Sequence, residues 1–158
     1  MLSIALLPMY MYGSAALTLT SEKLGKNDTT AVQEIIRRSC STAMTIYIVL
    51  TVVYILCRKR LPLLISDDIK LTDLSSTIII PMVIMNIFNP MQTIYQYVLQ
   101  AYNDGKFVLY ASAVANAISV AFMLVLFTVK VSLHAIFEGL FINYMFLFLV
   151  YRRRFARS

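Results

Sequence analysis

The sequence predicts an all-α fold: a polytopic transmembrane helix bundle of about five spans, forming one domain over residues 1–158. Three observations predict it. Between Lys106 and Lys130 run 23 residues without a charge, FVLYASAVANAISVAFMLVLFTV. A helix needs about 20 apolar residues to cross a hydrocarbon core of about 30 Å. The pattern recurs, because residues 39–57 and 75–101 are also uncharged. Finally, 59% of the chain is hydrophobic and only 14% charged, too little charge to cover a soluble domain of this size.

The first span is placed at about Leu2–Thr20. Its GSAALT stretch is similar to a signal-peptide cleavage region, but a signal peptide carries positive charge ahead of its apolar core. Here the first charged side chain is Glu22, so a membrane helix is the better reading. The second span is Ser39–Cys57. A helix should begin before it, where Thr30 with Gln33 fits a capping box and Asp28 is an alternative cap. That helix should run past Arg37 and Arg38 into the span, with the two arginines at the headgroups. The third span is Ser75–Ala101, long enough to tilt or kink, with Asp73 placed to cap it. The loop before it, LPLLISDDIKLTD, puts Leu61, Leu63, Leu64 and Ile65 in the interface. The fourth span is Phe107–Val129. The fifth is Val131–Tyr151 and carries one acid, Glu138.

Orientation follows from the lysines and arginines. Lys23, Lys26, Arg37, Arg38, Lys106, Arg152, Arg153, Arg154 and Arg157 fall on one side. Arg58, Lys59, Arg60, Lys70 and Lys130 fall on the other. Nine against five makes the tail cytoplasmic and places residue 1 outside, in a cell membrane. The net charge of +6 is then a property of loops rather than of a nucleic-acid-binding face. Cys40 and Cys57 lie 17 residues apart on one helix, roughly 25 Å, beyond any disulfide. They read as buried apolar thiols. The nine methionines read as filler or as a pliable binding wall. Tyr54, Tyr102 and Tyr151 read as interface belts.

The third span carries the candidate site. At about 100° per residue, Asn86, Asn89, Thr93, Gln96 and Gln100 fall within roughly 80° of one another, and Gln92 borders them. An unpaired amide in lipid costs free energy, so this face must meet protein or water. Pro81 and Pro90 each remove a backbone donor and free a carbonyl in the same helix. Two readings stay open. The stripe lines a transport cavity, or its amides cross-link helices. In the fourth span Ser112, Asn116 and Ser119, with Ala115, make a small-residue packing face. Glu138 is a functional candidate as an intramembrane acid, or it pairs at headgroup level near His134. His134 is also a candidate proton sensor. No catalytic constellation or metal cluster can be assembled, so the expectation is that the chain is no enzyme.

In order, these features resemble the multidrug and toxic compound extrusion (MATE) transporters. The second helix of each half in that family ends in small residues and a polar L-G-x-x-(N/G)-D segment. This chain has ALTLTSEKLGKND at 16–28, then AVQEIIRRS. The turn after the fourth helix is matched by VLQAYNDGKFVLYAS, residues 98–112. RLPLLISDD is similar to the short apolar stretch before an acidic loop, and YRRRFARS closes the chain. The resemblance covers nearly the whole chain, although its motifs are degenerate. It implies a MATE-like half-bundle lacking its first helix, taken as part of the C-terminal half of a twelve-helix carrier.

It also implies cation-coupled antiport, with Na⁺ or H⁺ as coupling ion and no other cofactor. The cargo would be a small organic, often cationic compound, moved by alternating access. Asn86, Asn89, Gln92, Thr93, Gln96 and Glu138 would line the pathway. The implied partners are the lipid bilayer, the cargo and the remaining helices of the carrier, with no nucleic acid. The opening helix and the fourth helix of a half can carry a coupling acid in this family. Here the first is missing and the second has Asn86, Asn89 and Gln92 instead. Lipid-linked oligosaccharide flippases share the architecture but call for a cationic cavity, and the span interiors lack lysine and arginine. A non-transporting membrane scaffold is the third alternative.

Overall fold

A computed structural model describes residues 2–58, 69–129 and 134–157. Six α-helices make up the described chain: α1 (Leu2–Gly25), α2 (Thr29–Leu56), α3 (Ile69–Met85), α4 (Asn89–Ala101), α5 (Gly105–Val129) and α6 (His134–Phe155). Helices satisfy their backbone groups internally, which is what an apolar chain in lipid requires. Among the described residues, Thr29–Leu56 and Gly105–Thr128 are each long and apolar enough to cross a membrane. Ser76–Met85 with Asn89–Ala101 makes a third such span, bent by 43°. The 24-residue α1 and the 22-residue α6 have spanning length at 1.5 Å per residue.

Two tight turns have the same construction. In the first, Asn27 takes a left-handed φ of 55°. The Asp28 N–H bonds to the Lys23 carbonyl at 3.1 Å and the Asn27 N–H to the Leu24 carbonyl at 3.0 Å. In the second, Asn103 has φ 62°, and the Asp104 and Asn103 N–H groups bond to the Leu99 and Gln100 carbonyls, both at 3.0 Å. This is the Schellman pattern, with Asn in the place glycine usually fills. Asp28 then caps α2, accepting from the Ala31 N–H at 3.0 Å and the Thr30 hydroxyl at 2.8 Å. The cap is therefore the aspartate and not the Thr30–Gln33 box, because the left-handed Asn27 delivers Asp28 into the capping position. Asp104 instead holds Arg154 of α6 through a bidentate pair at 2.7 and 3.1 Å. The same guanidinium lies 5.1 Å from the Phe107 ring centroid.

The third span, expected to tilt or kink, is bent as Ser76–Met85 with Asn89–Ala101, and only its expected cap at Asp73 is corrected. The chain breaks at Asn86–Phe88, and α3 begins at Ile69. Asp73 consequently lies inside α3 and does not cap it. The expected interface loop at Leu61–Ile65 lies outside the described residues.

α4 is the centre of the bundle and packs against α1, α2, α5 and α6. Three buried clusters surround it. Met9, Tyr47, Ile79 and Val83 join α1, α2 and α3. Val32, Ile36, Ala43, Ile94 and Val98 join α2 to α4. Leu99, Val108, Ala115, Leu147 and Tyr151 join α4, α5 and α6. An aromatic ladder runs between α4 and α6. Phe88 meets Phe141 and Phe148 at 5.4 and 5.8 Å, Tyr95 meets Phe148 and Phe155 at 5.8 and 6.1 Å, and Tyr102 meets Phe155 at 5.8 Å between ring centroids. Each side repeats every seven residues, the period of a left-handed helix seam, and the ascending order makes α4 and α6 parallel.

The core corrects the expected interface belt at Tyr151. Tyr151 is fully buried, with its hydroxyl donating to the Val108 carbonyl at 3.3 Å. Tyr102 is half-buried against Phe155, and Tyr54 packs on the cluster around Tyr47. Cys40 and Cys57 are free and half-buried rather than buried. The α5 face of small residues does pack on α6. Ser119 donates to the Gly139 carbonyl at 2.7 Å, and Asn143 donates to the Asn116 amide oxygen at 2.7 Å. Ile48, Val49, Val52 and Val53 on α2, and Val114, Ile118, Leu124 and Val125 on α5, are exposed. Apolar faces this extensive need lipid or protein against them.

Candidate functional site

The break between α3 and α4 follows from Pro90, which occupies the first turn of α4. Proline lacks the N–H that would reach back to the Asn86 carbonyl. The chain tightens instead. Asn86, Ile87 and Asn89 N–H groups bond to the carbonyls of Val83, Ile84 and Asn86 at 3.3, 3.3 and 3.0 Å, a short 3₁₀-type turn. Pro81 sits inside α3 without ending it. Side chains add hydrogen bonds to carbonyls beside the break. The Tyr47 hydroxyl of α2 donates to the Val83 carbonyl, and the Asn86 amide donates to the Met82 carbonyl at 2.8 Å.

The amides cluster at and below this turn. Asn86, Asn89, Gln92 and Thr93 are buried, while Gln96 and Gln100 are half-buried. Thr93 donates to Asn89 Oδ1 at 3.2 Å or to Gln92 Oε1 at 3.3 Å, and Gln92 Nε2 donates to Gln96 Oε1 at 3.0 Å. One hydroxyl proton serves only one of its two acceptors at a time. The chain of bonds thus runs along α4 itself. Among the described residues the amide link between helices is Asn116–Asn143, outside this cluster. Asn86 is 1% exposed, and among the described residues its Oδ1 has no hydrogen-bond partner. A buried amide oxygen without a partner is costly and marks a place for water, ion or ligand.

The bend divides the expected single stripe, so Asn86 belongs to the turn and Asn89–Gln100 to α4. The structure joins Asn89, Gln92, Thr93 and Gln96. It does not join Glu138, which is exposed on α6 and shares no hydrogen bond with the amides. The His134 side chain lies outside the described residues. Among the described residues no three His, Cys, Asp or Glu side chains gather.

Tyrosines extend the site and were not anticipated. Tyr47 and Tyr144 are within electrostatic reach of each other, as are Tyr144 and Tyr10. Of these, Tyr47 is placed at the break itself, through the Val83 carbonyl. Tyr47 stands four residues after Ala43 and eleven after Ile36, on the face of α2 that turns inward. That spacing was the available signal.

A helical break lined by amides and tyrosines, in a chain of membrane-length helices, suits a transporter. The model of the MatE family matches residues 1–125. The chain belongs to the MatE family. No curated protein and no solved structure matched it. As a MatE protein it is a multi-pass membrane transporter domain and not an enzyme. The matched region takes in α1 to α4 and most of α5, and with them the whole amide cluster.

Proposed function

We propose that this MatE chain is one portion of a secondary-active multidrug efflux carrier in a cell membrane, with its tail cytoplasmic. It exchanges an organic, often cationic compound for Na⁺ or H⁺ by alternating access, in concert with further helices. The observation that carries this reading is the Asn86 amide oxygen, buried and unpartnered at a bent, proline-marked helix break. Oxygen dipoles without a fixed charge bind a cation while letting it leave. Asn89, Gln92, Thr93 and Gln96 continue that polar surface down α4, and Tyr47 and Tyr144 supply aromatic faces that attract organic cations. Glu138 faces away from this bundle, so it serves the pathway only where further helices cover it. The exposed faces of α2 and α5 supply apolar surface for lipid or for those helices.

The test is export from vesicles by the carrier reassembled with its remaining helices. Asn86→Leu and Gln92→Leu should each abolish ion-driven export while the protein still inserts. Undiminished export by the double variant would refute the pathway reading. Ion-driven drug export by the purified 158-residue chain alone would refute the need for further helices.

A further inference from the structure

The backbones of α2 and α6 do not meet among the described residues, and α4 floors the gap between them. A crevice of about 350 Å³ lies there, lined by Gln33, Ile36, Arg37, Cys40, Tyr95 and Phe155. Its deep wall is apolar and aromatic, and the Tyr95–Phe155 contact at 6.1 Å belongs to the ladder. Arg37 also lines an adjoining cavity of about 510 Å³ with Glu34, Arg38, Ser41 and Thr42.

Charge is unbalanced at this place. Glu34 is taken by Arg38 at 2.5 Å, whereas Arg37 has no ion pair among the described residues. Across the gap, Arg152 stands one turn before Phe155 on α6, beside the Tyr95 and Phe155 wall of the crevice. Arg37 thus lines a crevice whose own lining carries no acid, with Arg152 near its α6 wall; the adjoining cavity adds the hydroxyls of Ser41 and Thr42 and one acid, Glu34, which Arg38 engages. Guanidinium pairs and hydroxyls are donors suited to a phosphate. The apolar wall behind them suits a hydrocarbon chain.

We propose that the α2–α6 crevice binds an anionic phospholipid of the surrounding bilayer, its phosphate between Arg37 and Arg152 and an acyl chain along Ile36, Tyr95 and Phe155. Charge complementarity selects the occupant: a zwitterionic lipid brings a cation that the arginines repel. A soluble phosphate leaves the apolar wall bare. The site goes beyond the transport reading, and its test does not use export.

The chain has no tryptophan, so Phe155→Trp places a sole indole in the crevice. The variant is put into phosphatidylcholine vesicles containing a minor share of brominated phosphatidylglycerol. Quenching should exceed that by the same share of brominated phosphatidylcholine about threefold. R37Q/R152Q should remove the excess, R37K/R152K should keep most of it, and K106Q, at the α4–α5 turn, should leave it intact. Native mass spectrometry of the unsubstituted chain in detergent provides the second measurement, with phosphatidylglycerol retained over phosphatidylcholine about tenfold. Equal quenching by the two brominated lipids overturns the proposal, as does an excess that survives R37Q/R152Q or vanishes equally in K106Q. Loss of the excess in millimolar inorganic phosphate assigns the site to a free oxyanion instead. An unquenched indole in a dimer that R37Q/R152Q disperses assigns it to a second copy.

Discussion

The Tyr47 hydroxyl of α2 donates its hydrogen bond to the Val83 carbonyl, one of the backbone acceptors beside the α3–α4 break. A side chain 36 positions away thereby takes part in holding the bend. Tyr47→Phe should cost about 1 kcal/mol, the usual net worth of one such bond. It should also speed amide hydrogen exchange at Asn86 and Ile87, read by mass spectrometry. Unchanged exchange there would mean that Pro90 alone holds the bend.

Phe148 touches both Phe88 and Tyr95 in the ladder. Phe148→Ala should destabilise the bundle by about 3 kcal/mol, the low end for a phenylalanine because the ring is half-buried. Phe148→Leu should cost less than half of that. Denaturant titration in detergent, followed by far-UV circular dichroism, gives both numbers. Equal losses would show that ring geometry matters more than volume.

Gly13 of α1 faces the Tyr97 ring of α4 so closely that an added Cβ overlaps it. Gly13→Ala should therefore destabilise by about 1–3 kcal/mol, as overpacking does. Adding Tyr97→Ala should recover part of that loss, which makes the pair non-additive in a double-mutant cycle. Strict additivity would place the strain elsewhere.

The Arg154 hydrogen bond holds the Asp104 carboxyl below its ordinary value. A depressed folded-state value stabilises at pH above the unfolded carboxyl's titration, near about 4. That stabilisation is lost as pH falls through the lower folded-state value. The pair is partly exposed, so the effect should be small and shrink with salt. The acid limb of the melting-temperature profile should flatten in Asp104→Asn. An identical acid limb in the variant removes this pair from the account.

The spans were legible because their cause is local: an uncharged run of membrane length has few alternatives in water or lipid. The polar residues of the third span were legible for the same reason, as amides stand out against isoleucine. Their division was only half legible. Pro81 and Pro90 carry the same sequence signal, but Pro90 falls in a helix's first turn and Pro81 inside one, and tertiary contacts such as Tyr47–Val83 determine where the bend settles. Phe88, Tyr95 and Tyr102 repeat every seven residues, as do Phe141, Phe148 and Phe155. Each set taken alone reads as aromatics near an interface, and only their pairing across two helices makes a seam. The crevice was illegible because Arg37 of α2, Tyr95 of α4 and Phe155 of α6 are brought together only by folding.

The paired Asn-Asp turns at 27–28 and 103–104 act as latches, each fastening two neighbouring helices at a set angle without glycine. If both latches stay shut during a transport cycle, α1 with α2 and α4 with α5 travel as two stiff brackets. The pivot left to the third span is then Asn86–Phe88, and tilting α3 about it tugs on the Asn86 amide oxygen, so gripping cargo and changing shape would involve the same few atoms.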